Sequence, residues 1–215
     1  MELSAGKIRQ DNKLQKVLAS KWFWVLSICF LFSYPLIRAV NRELPPPRPT
    51  LYQVPEFTLK NEMNKPFGSK DLKGKVYVAS FFFTSCSATC PKLMAKMQKI
   101  QKRVRGLRQT IALVSFTVDP EEDSPEKLFK FSRKYKANPY IWRFLTGERE
   151  VLTKLLVKGF KVPMSGVKDP DIVDLAHTEK FVLVDKVGGI KGYYGTDQSG
   201  IDRMMIDIGL LANGI

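Results

Sequence analysis

One stretch constrains this chain more than any other: Phe81-Phe82-Phe83-Thr84-Ser85-Cys86-Ser87-Ala88-Thr89-Cys90-Pro91. An apolar run enters it and a helical pattern leaves it. Val76, Val78, Ser80, Phe81, Phe82 and Phe83 read as a buried strand. Beyond the break, Cys90, Leu93, Met94, Met97, Ile100 and Val104 recur at helical spacing, with Lys92, Lys96 and Lys99 between them. Thr89 is the expected N-cap, and Pro91 falls where a first-turn proline is tolerated. The two cysteines therefore belong to a strand-to-helix junction, Cys86 in the loop and Cys90 in the first helical turn.

That placement has chemical consequences. Backbone N–H groups at a helix N-terminus carry partial positive charge and stabilise a thiolate. Two residues four apart on a regular helix hold their Cβ atoms about 6 Å apart, whereas a disulfide wants roughly 3.8 Å. With Cys86 outside the helix the pair is closer and more adjustable, able to close as a disulfide or to clasp one soft ion. Two plain readings stand beside this one: small core residues four apart by chance, or a structural disulfide.

The chain has 215 residues, enough for one ordinary domain and an appendage, and three cysteines, too few for a disulfide scaffold. Its formal net charge of +14 is spread along the sequence without an arginine-rich tract. This excludes a nucleic-acid fingerprint and favours an anionic membrane surface or an acidic protein partner over nucleic acid, with a merely solvated basic surface as the plain alternative. Residues 1–21 read as a basic N-terminus, with Lys7, Arg9, Lys13, Lys16 and Lys21. Residues 22–40 read as a single transmembrane anchor: the uncharged run from Trp22 to Ile37 is slightly short, but Arg38 can snorkel and Trp22, Trp24 and Tyr34 suit the interfaces. The lysines before it should stay in the cytoplasm and send the bulk of the chain outward. No small-x-small cleavage site follows the run, and Ile28 is too large to precede a lipidated Cys29. Residues 41–50, rich in proline, read as an extended linker, so the domain at 51–215 stands off the bilayer.

Within that domain strands and helices alternate. A short hairpin is expected around Asn61–Lys65, then strand 76–83, the cysteine helix, and a strand from Ile111 to Val118 closed by Asp119-Pro120. Ser124-Pro125-Glu126 opens a helix, Ile141–Leu145 is a strand, and Glu148–Val157 a helix. Residues 161–176 read as an irregular loop. A hairpin turns at Gly188-Gly189, and a last helix covers about 200–212. This βαβ then ββα order is that of a thioredoxin-like α/β domain.

His177 is the one histidine in the chain. A lone histidine is more often structural than a ligand, but loops at the carboxyl ends of central strands can approach the first helix of such a fold. Two thiolates and an imidazole would make a three-ligand soft site suited to copper, whereas structural zinc prefers four protein ligands.

The combined motifs resemble the Sco/SenC family: Phe81-x-Phe83-Thr84-x-Cys86-x-x-x-Cys90-Pro91, Thr117-Val118-Asp119-Pro120-Glu121-x-Asp123-Ser124-Pro125, Trp142-x-x-Leu145-Thr146-Gly147, and His177-Thr178 before a strand ending in Asp185. The resemblance covers about residues 52–212. It implies a membrane-tethered thioredoxin-like copper chaperone for the dinuclear copper centre of cytochrome c oxidase. Copper, as Cu(I) or Cu(II), would be held by Cys86, Cys90 and His177. Its partners would be the oxidase copper-binding subunit and a thiol reductant. Ser87 stands where many relatives have proline, and Ala176 where an acidic residue is common; either could alter redox potential or copper affinity.

A second function class stays open: a thiol–disulfide reductase in which Cys86 attacks a target disulfide and Cys90 resolves it. A peroxidase-like reading is a distant third. A lysine-rich, arginine-poor N-terminus favours a bacterial inner-membrane anchor, with the domain in the periplasm, over a mitochondrial transit peptide.

Overall fold

Val76 to Phe82 form a strand buried along its length except at Phe81, and the pattern around it decides the architecture. The computed structural model describes residues 20–40, 48–107, 109–162 and 180–214. The chain divides into two units, 1–45 and 46–215. The first contains helix α1 (Lys21–Val40). The second runs β1 (Tyr52–Gln53), β2 (Thr58–Asn61), β3 (Pro66–Gly68), α2 (Ser69–Leu72), β4 (Val76–Phe82), α3 (Cys90–Val104), β5 (Ile111–Thr117), α4 (Pro125–Lys134), β6 (Trp142–Thr146), α5 (Arg149–Thr153), β7 (Lys180–Val184), β8 (Gly189–Gly195) and α6 (Gln198–Ala212).

The described strands join in one sheet, in the order β1-β8-β7-β4-β5-β6-β2-β3. β4, β5 and β6 are mutually parallel neighbours, and β7 lies antiparallel against the other side of β4. This is a mixed α/β, thioredoxin-like arrangement, as the alternation of elements predicts. Period-2 alternation sends Val76, Val78 and Phe82 to one face, against α3, α4 and α6. Tyr77, Ala79 and Phe81 go to the other, against Leu152, Leu155, Leu156 and Phe160. Both faces are covered, which is why β4 and β5 read as nearly continuous apolar runs. The serines in those runs satisfy one another: Ser80 and Ser115 hydroxyls lie 2.7 Å apart, and the Trp142 indole N–H donates to Ser115 at 2.8 Å.

Helix α3 docks through Leu93, Met94, Met97, Ile100 and Val104. Each fully buried side chain of this kind contributes roughly 1.5–3 kcal/mol, so the helix that carries Cys90 is held firmly. The helix expected over 148–157 divides instead. It is α-helical at Arg149–Thr153 and π-helical at Lys154–Gly159. Leu155, Leu156 and Val157 are consecutive, all buried, and belong to one apolar layer.

The segment expected to span a membrane forms α1, 20 residues long with Pro35 inside it. Among the described residues no helix is long and apolar enough to cross a membrane. Trp22, Trp24, Ser27, Ser33, Tyr34 and Arg38 dilute the apolar run.

Candidate functional site

The chain leaves β4 at Phe82 and turns, the Cys86 N–H donating to the Phe83 carbonyl at 3.3 Å. Ser85, Ser87, Ala88 and Thr89 lie open to solvent, and Cys90 starts α3. The structure therefore sets both cysteines where the sequence predicts them. Cys90 is 5% exposed, packed with the α3 face of the core, whereas Cys86 is half-buried at its edge. Both are free thiols.

Thr89 is not a side-chain cap. Its backbone is helical and its hydroxyl makes no capping bond; the hydroxyl lies 3.7 Å from the Cys86 sulfur, while its carbonyl accepts the Leu93 N–H at 3.0 Å. The Cys90 N–H, an unpaired donor of the first helical turn, points to the Cys86 sulfur at 3.3 Å. The cysteine sulfur thus satisfies one of the N–H groups that the first helical turn leaves without an intrahelical partner.

These contacts make the two thiols unequal. Burial works to raise the Cys86 pKa. Hydrogen bonds from the Cys90 thiol and N–H and from the Thr89 hydroxyl and N–H outweigh it, bringing the value to about 7 from an ordinary 9.0. Cys90 moves the other way: burial first, and the proton it holds toward Cys86 second, push it up to about 12. A half-buried thiolate beside a buried, protonated thiol can attack a disulfide, and two adjacent sulfurs can clasp a soft cation once both are deprotonated.

Tyr135, at the end of α4, borders the pair. Its pKa is raised by burial and then by the charges of Cys90 and Cys86. Its ring packs 5.0 Å from Phe131, which stacks on Phe82 at 5.1 Å. Sequence reasoning assigned it no role, and only its apolar spacing in α4 hinted at a buried position.

The loop is tied down from below by Asp123, which the sequence places in a motif without a task. The Asp123 carboxylate accepts the Thr84 N–H at 3.2 and 3.1 Å, the Thr84 hydroxyl, and the Thr117 hydroxyl at 2.5 Å.

His177 lies outside the described residues, as does most of the irregular loop expected at 161–176. Among the described residues no group of three His, Cys, Asp or Glu side chains could hold a metal. The soft donors brought together are the sulfurs of Cys86 and Cys90.

A profile of the SCO1/SenC family matches residues 46–211. The SCO1 protein homolog of Bacillus subtilis (strain 168) is 34% identical over 163 residues, spanning 74% of this chain and 83% of that protein. A putative copper-binding protein of Stutzerimonas stutzeri is 28% identical over 142 residues, 65% of this chain and 68% of that one. Among solved structures, BsSco aligns with a TM-score of 0.66 at 31% identity, over 78% of this chain and 98% of that chain. It is described as a Sco-family cytochrome c oxidase assembly protein containing a disulfide switch.

Proposed function

The chain belongs to the SCO1/SenC family, and from that premise we propose that it is a membrane-tethered copper metallochaperone assisting assembly of the dinuclear copper centre of cytochrome c oxidase. The observation that carries the reading is the pair of free, adjacent thiols at the start of α3, joined by the Cys90 N–H to Cys86 sulfur contact of 3.3 Å. Copper is cargo here. Thiolate donors suit Cu(I), and an added imidazole suits Cu(II). Cys86 and Cys90 supply the sulfurs, and His177, on sequence and family resemblance, supplies the nitrogen. Because ligands must be deprotonated, loading releases protons, the more from Cys90, whose pKa is pushed up to about 12. Support comes from the copper-binding description of the Stutzerimonas relative and the oxidase-assembly description of BsSco.

The partners of this reading are the copper-binding subunit of the oxidase and a thiol reductant. Residues 1–21 stay in the cytoplasm, 22–40 anchor the chain, 41–50 act as spacer, and the domain at 51–215 faces the periplasm of a bacterial inner membrane. Support for the anchor is an apolar run whose Trp22, Leu26, Phe30 and Phe32 are all exposed in α1, with Trp and Tyr near its ends.

A second reading, thiol–disulfide reductase, is favoured by the inequality of the thiols. The Cys86 thiolate attacks a target disulfide, forming a mixed disulfide and releasing one target thiolate. Cys90 then gives up its proton, attacks the Cys86 sulfur and releases the second thiol. The target gains two electrons and the chain is left as the Cys86–Cys90 disulfide, for the reductant to reopen.

Copper stoichiometry of the reduced full chain in detergent tests the chaperone reading. One tightly bound copper is expected, lost on replacing either Cys86 or Cys90 by Ala. Stoichiometric tight binding in both single variants would overturn it.

A further inference from the structure

A carboxylate buried without a cation is costly unless hydrogen bonds satisfy it. Asp123 is 0% exposed, and its described partners are all hydrogen-bond donors. Thr84 donates twice, through its N–H at 3.2 and 3.1 Å and through its hydroxyl; Thr117 donates its hydroxyl at 2.5 Å. The anchor is itself fixed. The Asp123 N–H donates to the Asp119 carbonyl at 3.0 Å, and the Asp119 N–H donates to the Thr117 hydroxyl oxygen at 3.0 Å. One side chain thus binds the end of β5 to the second loop residue after β4, Thr84, which stands two residues before Cys86.

We infer that Asp123 is a positioning residue for the cysteine pair, clamping Thr84 so that the 84–89 loop favours the dithiol over the disulfide. The inference rests on the reading of Cys86 and Cys90 as a reversible redox pair. Oxidation must bring the two sulfurs to about 2.05 Å. Cys90 is packed into α3 and 5% exposed, so the movement falls on the exposed side, at Cys86. The clamp at Thr84 opposes that movement. The observed arrangement, with the Cys90 N–H on the Cys86 sulfur at 3.3 Å, is the one the clamp holds. Releasing it stabilises the disulfide relative to the dithiol, and the pair becomes harder to reduce.

The test equilibrates the full chain in detergent, in a Cys29→Ser background, with mixtures of reduced and oxidised glutathione. In the reaction, oxidised glutathione takes two electrons from the Cys86 and Cys90 thiols. Two molecules of reduced glutathione are released, carrying both thiol protons, and the chain keeps the new S–S bond. Asp123→Asn and Thr84→Val are each expected to shift this equilibrium about tenfold toward the chain disulfide, equivalent to about 30 mV. Thr84→Ser, which keeps the hydroxyl and the N–H, should stay within about twofold of the wild type. A purely structural role would lower the urea stability of oxidised and reduced forms equally and leave the equilibrium unmoved; that result, or a shift toward the dithiol, overturns the inference. If Asp123→Asn does not fold, the Thr84→Val and Thr84→Ser pair decides. Wild-type chain that forms no disulfide at any glutathione ratio would refute the redox reading and the clamp with it, whereas normal wild-type titration with silent variants refutes the clamp alone.

Discussion

The Cys90 N–H donates to the sulfur of Cys86 across 3.3 Å. This single contact spans the junction between the β4–α3 loop and the first turn of α3. It explains why the thiol outside the helix, rather than the one inside it, carries the depressed pKa. Cys86 receives the helix-end donor and the Thr89 hydroxyl; Cys90 lies inside the apolar layer and keeps its proton. Hydrogen bonds lower the pKa of Cys86 against its burial, whereas burial is the first cause that raises that of Cys90.

Alkylation of Cys86 should therefore respond to pH in a lower range than that of an ordinary thiol. A thiol is reactive above its pKa, and this one falls to about 7 from 9.0. The rate should rise about tenfold from pH 6 to pH 8 and then level off, with Cys90 silent throughout. Thr89→Val removes one donor and should move the midpoint upward. Iodoacetamide kinetics with mass-spectrometric site assignment measures both, and a rate still climbing in proportion to hydroxide at pH 9 would contradict the assignment.

His177→Ala separates the chaperone from the reductase. A two-thiolate Cu(I) site survives without imidazole, while Cu(II) prefers added nitrogen. Cu(II) affinity should drop and the thiolate-to-Cu(II) absorption should shift or vanish, with Cu(I) binding and disulfide formation retained. Unchanged Cu(II) spectra and affinity, together with lost oxidase assembly in cells, would move His177 from ligand to partner contact or fold.

The hairpin edge of the sheet depends on one buried ion pair. Glu62 accepts from Arg143 at 2.8 Å and from the Phe144 N–H at 3.0 Å, and its side chain is 4% exposed against 23% for Arg143. Glu62→Ala leaves a buried N–H unpaired and a partly buried guanidinium without its carboxylate, and should cost about 3 kcal/mol, at the low end for a broken buried pair. Urea unfolding followed through Trp142 in a Trp22→Phe, Trp24→Phe background reads the change. A loss under about 1 kcal/mol would show that water replaces the carboxylate.

Topology is tested by a reporter fused after Ile215. Activity on the outer side of the membrane is expected from the lysine-rich N-terminal flank. Cytoplasmic activity, or full release of the domain by signal peptidase, would reject an uncleaved anchor over residues 22–40.

How far the site was legible in sequence depends on the range of the interactions. The alternation at Val76–Phe82 and Ile111–Thr117 and the helical spacing from Cys90 to Val104 are local patterns, and the elements follow them closely. The antiparallel seat of β7 beside β4 was not readable, nor was the β1 edge strand, because both depend on pairings more than a hundred residues apart. Thr89 was misread for a different, local reason. Its type and position fit a cap, but a sulfur three residues earlier competes for its hydroxyl.

The sequence by itself determined that two cysteines stand where a strand gives way to a helix, because periodicities of two and 3.6 are written residue by residue. Tertiary structure alone decided which thiol has its pKa lowered and which has it raised, and it alone brought Asp123 to Thr84 across 39 positions. Burial and hydrogen-bond geometry are properties of packed neighbours, and neighbours in space are set by how the sheet closes over its two apolar layers.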